Sequence, residues 1–249
     1  MNVRLTDPQW RKILSSLKTC PSIYIGQESK CRRFLEGVLW ITRSGSQWRL
    51  LPKFYGRWNS VYKRFARWSR NNVFEKLFIF GGLAAQLKAL LMDSTIVRAH
   101  ASSAGARKEH GEQALGRSRG GFSTKIHLAT DESGTALRFI LTAGQRNDIT
   151  QAENLMAGLD FEAFLADKAY DSDKLLEPLI EKGVKIVVPS RANRTIQREI
   201  DEELYKERNQ IERLIGKLKH YRRVFSRYDK LAKNYLSFVH FAGALIKLR

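Results

Sequence analysis

Residues 89–97 have the sequence ALLMDSTIV, an apolar run of strand length that carries an acid, Asp93, in its interior. A carboxylate buried in an apolar strand is costly unless an opposite charge or hydrogen bonds compensate for it. A second apolar run, residues 161–167, also ends in an acid, Asp167. We therefore predict two strands that each bring one carboxylate to a common site.

The segments around these two strands predict the rest of a mixed sheet. Further predicted elements are two strands joined by a turn, two helices and a strand, over residues 122–130, 135–142, 149–158, 171–181 and 184–189. With a last helix, this order is that of a ribonuclease H-like α/β domain, which has a mixed sheet and helices on both faces. In that architecture the first and fourth strands are neighbours, so the two acids are expected side by side.

A third acid, Glu212, lies on the last predicted helix, a long one over residues 201–221. Tyr205, Arg208 and Lys219 share a helical face with Glu212, because the successive spacings from Tyr205 through Arg208 and Glu212 to Lys219 are 3, 4 and 7 residues. Acids and bases on one face can meet a metal ion and a DNA phosphate together, so we expect these three neighbours to contact DNA. The alternative is a solvated surface helix with salt bridges.

Three carboxylates in this order suit phosphodiester cleavage and strand joining. Two Mg²⁺ ions, about 3.5–4 Å apart, activate the attacking oxygen and stabilise the leaving oxygen in such sites. Mg²⁺ prefers hard oxygen ligands, whereas histidine and cysteine select other metals. We therefore predict that Asp93, Asp167 and Glu212 are both the catalytic residues and the ligands of two Mg²⁺ ions, with Mn²⁺ as the alternative metal.

The charge of the chain favours a polyanionic partner. The formal net charge is +19 over 249 residues, and residues 1–82 contain 16 Lys and Arg against 4 Asp and Glu. All five tryptophans also lie in this first part. We predict an N-terminal all-α, helix-turn-helix-like DNA-binding domain over residues 1–82 and a ribonuclease H-like catalytic domain over residues 83–249. A nonspecific basic protein is the alternative that charge alone leaves open.

The N-terminal domain has two clear helix signals before its most basic helix. The first helix begins near residues 6–9 (TDPQ), capped either by Asp7 with Pro8 in the first turn or by a capping box of Thr6 and Gln9. A second helix is predicted over residues 28–42.

The third predicted helix has an aromatic stripe from Trp58 to Trp68 and four cations largely off that stripe. A short basic helix of this kind suits a DNA groove, and a solvated basic face is the alternative. The four cations expected to contact DNA are Lys63, Arg64, Arg67 and Arg70.

Several motifs resemble those of one protein family. Residues 205–219, with the pattern Y-x2-R-x3-E-x6-K, resemble the signature of DDE transposases of the insertion-sequence-four and -five superfamily. Residues 93–95 (DST) and 167–171 (DKAYD) resemble that group's first and second acid motifs, although Ala169 stands where glycine is usual. Residues 116–127 and 48–52 (WRLLP) resemble further segments of the insertion-sequence-five family, so the resemblance covers most of the chain.

The resemblance implies an enzyme that binds the terminal inverted repeats of its own mobile element, cuts the ends and joins them to target DNA. It implies double-stranded DNA as partner, a homodimer or higher oligomer on that DNA, and a place at the nucleoid in the bacterial cytoplasm. A DNA-binding regulator without chemistry, and a nuclease or resolvase that cuts without joining, are the alternatives. The chain has no apolar run of membrane-spanning length, so we expect no membrane partner.

Three further expectations concern the second half of the chain. Residues 105–121 are expected to form a mobile loop over the site. A final helix over residues 231–248 is expected to serve packing. A basic track along the DNA backbone is expected from Lys217, Lys219, Arg222, Arg223, Arg227, Lys230 and Lys233.

Overall fold

The chain divides into two compact units, which we call the helical unit and the sheet unit. The computed structural model describes residues 3–21, 23–80, 86–106, 111–118 and 120–248. The helical unit comprises Met1–Gly82, Arg98–Gln113 and Lys217–Arg249, and the sheet unit comprises Leu83–Val97 and Ala114–Gly216. These units follow contacts within the folded chain, and the proposed domain boundary after residue 82 stays a prediction.

Amphipathic helices build the helical unit. They are α1 (Asp7–Lys18), α2 (Glu28–Ser44), α3 (Trp58–Arg70), α4 (Val73–Ile79), α9 (Arg222–Phe225) and α10 (Ala232–Lys247). At the start of α1 the capping box forms, with the Gln9 amide donating to the Thr6 hydroxyl and the Thr6 amide donating to the Gln9 side chain. Gly45 ends α2 in the left-handed conformation that glycine adopts without strain.

The last helix, α10, is the packing helix that the sequence predicts, and it packs against α3 and α4. Phe238 stacks on Phe65 with ring centroids 4.5 Å apart, and Phe241 meets Phe74 edge-on at 5.5 Å. A helix from the far end of the chain therefore completes the core of the N-terminal helices.

The sheet has the mixed topology that the sequence predicts. Its strands are β1 (Leu87–Ala99), β2 (Gly116–Ser118), β3 (Gly121–Thr130), β4 (Ala136–Ala143), β5 (Phe161–Leu165), β6 (Lys185–Val187) and β7 (Ser226–Arg227). The order is β2-β3-β1-β5-β6, with β4 on β3 and β7 on β1. The hairpin of β3 and β4 is antiparallel, whereas β5 pairs in parallel with both β1 and β6.

The expectation of a mobile loop over residues 105–121 is wrong in part. Residues 116–118 form strand β2, which pairs antiparallel with the start of β3. The glycines and charges of this segment suggested a loop, but the neighbouring strand supplies partners for its backbone groups. Residues 107–110 and 119 lie outside the described residues.

The long helix predicted over residues 201–221 is interrupted. The structure has α7 (Glu202–Lys206) and α8 (Asn209–Lys219), with a break at Glu207 and Arg208. The amides of both break residues donate to carbonyls three residues earlier, so the chain tightens there to the geometry of a 3₁₀ turn. Helix α6 (Asp173–Glu181) and the short helix α5 (Ala152–Met156) lie close to the predicted positions.

No helix among the described residues has the length and apolar character needed to cross a membrane.

Candidate active site

Strand pairing brings Asp93 and Asp167 to the same level of the sheet. In the parallel pair of β1 and β5, Leu91 lies opposite Leu165. Each acid follows its leucine by two residues, so both emerge where β5 ends. The prediction that the first strand and the strand before Asp167 are neighbours is therefore confirmed.

Asp93 is held through both of its carboxylate oxygens. Its Oδ1 accepts a hydrogen bond from the Ser94 amide at 2.7 Å, and its Oδ2 lies 3.3 Å from Nη2 of Arg208. The side chain is only 18% exposed. Burial raises the pKa of Asp93, the Ser94 amide and Arg208 oppose this, and the charges of Asp167 and Glu212 raise it further. The three acids therefore lie within each other's electrostatic field.

Asp167 occupies the turn that follows β5. Its Oδ1 accepts a hydrogen bond from the Ala169 amide at 2.9 Å and caps the 3₁₀ turn Lys168–Tyr170. A capping carboxylate satisfies a backbone donor that the turn itself leaves free. The chain therefore fixes this acid by local backbone geometry, with its second oxygen left to other contacts.

Glu212 lies on the first turn of α8 and shares a cation with Asp93. Nη2 of Arg208 lies 2.6 Å from Oε1 of Glu212 and 3.3 Å from Oδ2 of Asp93. The Glu212 side chain is 56% exposed, whereas that of Arg208 is 13% exposed. Arg208 lies in the break before α8, four residues before Glu212, and its one guanidinium contacts two acids that are distant from each other in sequence.

The other members of the Y-R-E-K pattern are arranged differently. The Tyr205 hydroxyl accepts a hydrogen bond from Arg208 at 3.3 Å, and the guanidinium lies 5.6 Å from the Tyr205 ring centre. Lys219 is exposed at the end of α8. The predicted DNA contacts of Tyr205, Arg208 and Lys219 stay predictions.

The donor set suits a hard divalent ion. Carboxylate oxygens are the ligands that Mg²⁺ prefers, and Asp93, Asp167 and Glu212 supply three of them within one electrostatic neighbourhood. Within the described ranges, no three His, Cys, Asp or Glu side chains are gathered closely enough to form a metal-ligand cluster. Arg208 contacts two of the three acids, Asp93 and Glu212, and supplies a positive charge beside them.

The sequence analysis assigned no individual role to three residues close to these acids, Tyr170, Asp148 and Lys125. Tyr170 is buried, and its hydroxyl has no hydrogen-bond partner among the described residues. Burial raises the pKa of Tyr170, and the charges of Asp148, Asp93 and Asp167 act in the same direction. Asp148 and Lys125 form a salt bridge of 2.8 Å. No periodicity marks Asp148, and only its position after a predicted strand could have drawn attention to it.

A buried acid also organises the segment after Asp167. Asp171 accepts hydrogen bonds from the Arg191 amide and the Arg194 side chain, both at 2.8 Å, and from Arg198 at 3.3 Å. Burial opposes ionisation of Asp171, but these hydrogen bonds outweigh it and hold its pKa below the usual value. The Arg191 guanidinium donates to the carbonyls of Lys168 and Ala169. The backbone of the turn that follows Asp167 is therefore held in place by hydrogen bonds from Arg191.

The expectation that all four cations of α3 face outward is wrong for Arg64. Its guanidinium donates to the Ile25 carbonyl at 3.2 Å and lies 4.5 and 5.0 Å from the ring centres of Phe34 and Trp68. The long side chain reaches inward over the aromatic stripe because a guanidinium can stack on rings. The remaining three, Lys63, Arg67 and Arg70, are exposed.

The expected basic track beyond Glu212 is also wrong at two positions. Arg223 and Arg227 are buried, at 5% and 0% exposure. Arg223 pairs with Asp229, and Arg227 donates to the carbonyls of Asp229 and Lys230. Both guanidinium groups therefore make contacts within the helical unit and are not part of an exposed basic surface.

The sheet order, with Asp93 within one strand, Asp167 just after the neighbouring parallel strand and a third acid on a following helix, is that of a ribonuclease H-like α/β fold. Residues 85–246 match the family described as "Transposase DDE domain", and residues 5–78 match "Putative transposase of IS4/5 family". The chain belongs to the DDE transposases of the IS4/5 type.

Relatives agree with this membership. The chain is 40% identical over 130 residues to "Putative transposase for insertion sequence element IS6501" of Brucella ovis, covering 51% of this chain and 99% of that protein. It is 29% identical over 152 residues to "Putative transposase for insertion sequence element IS402" of Burkholderia cepacia, covering 56% and 69%. It is 37% identical over 107 residues to "Uncharacterized protein y4sN" of Sinorhizobium fredii, covering 43% and 86%.

One solved structure, "Mos1 transposase paired-end complex with left transposon end", matches 74% of this chain and 77% of that chain. The sequence identity is 11% and the TM-score 0.26, which is too low to establish a shared fold.

Family membership separates the chain from the regulator and nuclease alternatives. It is a DNA transposase, an enzyme that cleaves DNA and transfers strands, and the DDE domain implies the use of divalent metal ions.

Proposed function

We propose that this transposase binds the terminal inverted repeats of its own insertion sequence, cleaves the ends in a Mg²⁺-dependent reaction and joins them to target DNA. The observation that carries the proposal is the shared guanidinium. Arg208 contacts Asp93 and Glu212 together, next to the strand pair that aligns Asp93 with Asp167.

In this proposal, Asp93, Asp167 and Glu212 hold two Mg²⁺ ions. When bound, such ions supply an activated nucleophilic oxygen and stabilise the leaving oxygen. The protein contributes the fixed positions of the acids: Asp93 by strand pairing, Asp167 by its capping turn and Glu212 by the start of α8. Arg208 keeps two like-charged groups close together, which would otherwise repel each other.

DNA engagement is assigned to exposed cations. Lys63, Arg67 and Arg70 lie on one helix of the helical unit, and Lys219 ends α8. We propose that they contact the phosphate backbone, which dominates affinity for DNA. A mobile element has two ends, and their joint processing needs two active sites, so we propose a homodimer or higher oligomer on DNA.

The test uses the full chain and a labelled fragment that carries one native element end. Asp93→Asn, Asp167→Asn and Glu212→Gln should each reduce Mg²⁺-dependent cleavage below detection while end binding in a gel-shift assay persists. Glu162→Gln is the matched control, because Glu162 is an exposed acid on β5, and it should cleave at the wild-type rate. Wild-type cleavage by any of the three acid variants would remove that residue from the proposed site.

A further inference from the structure

Asp148 is an acid outside the predicted triad that joins two strands of the sheet unit. It begins the 3₁₀ turn Asp148–Gln151, after β4. Its Oδ1 accepts a hydrogen bond from the Ser94 hydroxyl at 2.6 Å and lies 2.8 Å from Nζ of Lys125. Lys125 points from the middle of β3 and its side chain is 10% exposed, while that of Asp148 is 21% exposed. One oxygen therefore connects a nearly buried ammonium to the residue that follows Asp93.

Ser94 extends this connection to the first acid. Its hydroxyl donates to Asp148, and its amide donates to Oδ1 of Asp93 at 2.7 Å. The hydroxyl contact restrains the Ser94 residue and therefore the direction of its amide. The other oxygen of Asp93 faces Arg208, at the end of a long side chain. The Asp93 Oδ1 atom is thus held by the backbone amide of the next residue, Ser94. The Oδ2 atom is held by the guanidinium of Arg208, which lies at the end of a long side chain.

Lys125 is the counter-charge that Asp148 contacts. His127 is also close, with Nδ1 at 3.7 Å from Oδ1 of Asp148. Burial lowers the pKa of His127 to about 4, which the nearby acid only partly opposes, so this ring is neutral at pH 7. Removing one partner of a nearly buried ion pair leaves an uncompensated charge. The Lys125–Asp148 pair therefore holds the carboxylate where Ser94 can reach it.

We propose that Lys125, Asp148 and Ser94 form a positioning unit for Asp93. The ion pair anchors the Ser94 hydroxyl, and the Ser94 amide then fixes the orientation of the Asp93 carboxylate before metal or DNA binds. This role rests on the proposed function, because it matters only if Asp93 is a metal ligand. Partners that orient a metal ligand commonly contribute tenfold to a hundredfold in metal affinity. Ligand misplacement of about 1 Å is costly in rate.

The experiment measures Mn²⁺ binding to the full-length protein without DNA, by following free Mn²⁺ in a direct titration. Ser94→Ala should weaken Mn²⁺ binding by about tenfold and raise the Mg²⁺ concentration for half-maximal cleavage by a similar factor, with little change in Tm. Ser94→Thr keeps the hydroxyl and should restore both. Asp148→Asn should weaken Mn²⁺ binding to a similar degree and lower Tm, because Lys125 loses its partner. The double variant, Ser94→Ala with Asp148→Asn, should have the same Mn²⁺ affinity as the single variant with the lower affinity.

Ser133→Ala is the matched control. It removes a serine–aspartate hydrogen bond of the same 2.6 Å length, from Ser133 to Asp131, in the exposed turn between β3 and β4, and Mn²⁺ binding should not change. Wild-type Mn²⁺ affinity in Ser94→Ala, with a lower Tm in Asp148→Asn alone, would mean that the pair serves folding only. Asp93→Asn is titrated in parallel. If it binds Mn²⁺ as the wild type does, Asp93 is no ligand, and both the proposed metal site and its positioning unit are overturned.

Discussion

The two units of this transposase each bury charges of both signs, but the buried charges differ in what they contact. In the helical unit the buried or half-buried charges include three arginines, Arg64, Arg223 and Arg227, which contact rings, carbonyls and one acid. In the sheet unit they include Asp93 and Asp171, each of which has an arginine partner. In a chain of net charge +19, a cation at a given position says little about DNA, because many cations are needed for the fold. An acid on an apolar strand is rarer and indicates a site.

The largest expected effect is on stability in the helical unit. The side chains of Arg223 and Asp229 are each 6% exposed, and the Arg223 guanidinium also donates to the Ser46 carbonyl. Arg223→Met leaves the Asp229 carboxylate buried without its partner, which should cost about 3–5 kcal/mol in unfolding free energy. Urea denaturation measures this value. Lys230→Met, at an exposed neighbouring position, should change it by less than about 0.5 kcal/mol. Equal losses of unfolding free energy in the two variants would mean that Arg223 contributes no more to stability than an exposed charged residue does.

A second prediction compares the units through pH, because each contains a buried histidine. Burial lowers the pKa of His127 to about 4 and that of His240 to about 3. In the unfolded chain histidine titrates near about 6.5. Since the folded pKa is depressed, each histidine contributes stability that is fully present above pH 6.5 and is lost as pH falls through the folded pKa.

For His127 this contribution amounts to about 3 kcal/mol. The unfolding free energy should therefore decrease between about pH 6.5 and 4, and His127→Gln should show a smaller decrease than the wild type. Identical pH profiles for wild type and variant would contradict a neutral His127. The Gln side chain can keep a hydrogen bond to Thr142, which the His127 Nε2 makes at 2.8 Å.

The third prediction concerns the shared cation of the sheet unit. Arg208→Ala removes the contact of 2.6 Å to Glu212 and that of 3.3 Å to Asp93, so the two acids repel each other. Single-turnover cleavage should fall about a hundredfold. Arg208→Lys should be intermediate, because a compact ammonium does not reproduce the planar fork of a guanidinium.

Arg213→Ala, at an exposed position on helix α8, which follows Arg208, is the control and should retain the wild-type rate. Cleavage by Arg208→Ala is measured at increasing Mg²⁺ and saturating DNA, and partial recovery is expected. A loss that no concentration of Mg²⁺ relieves would instead favour a direct role of Arg208 at the DNA phosphate.

The smallest expected effect is on the salt dependence of DNA binding, and it distinguishes the exposed cations of α3 from the half-buried one. Lys63→Ala and Arg67→Ala remove exposed cations of α3 and should each reduce the slope of log affinity against log salt by about one. Arg64→Ala removes the half-buried cation and should lower Tm with no change in that slope. The measurement is end binding by the full chain at several salt concentrations. If Arg64→Ala changes the slope as Arg67→Ala does, the inward position of Arg64 does not persist on DNA.

Much of the sheet was predictable because its signals are local. The apolar runs before Asp93 and Asp167 predicted two strands, and the order of elements predicted that these strands are neighbours, which the register of Leu91 with Leu165 confirms. The capping box of Thr6 and Gln9 likewise depends on residues three apart. Strand β2 was not predicted, because Gly116 and its neighbours have no strand pattern of their own and depend on pairing with β3.

Local sequence patterns were enough to predict the strand that carries Asp93, the strand that leads to Asp167 and a helix that carries Glu212. Periodicity and local hydrogen bonds act over a few residues, and an acid in an apolar run is visible without a partner. The contacts of Arg208 with two acids and of Asp148 with Ser94 became visible in the folded chain alone. Such contacts join residues far apart in the chain, and long side chains can turn toward solvent or inward at similar cost. Packing selects between these directions, so their partners follow from the fold.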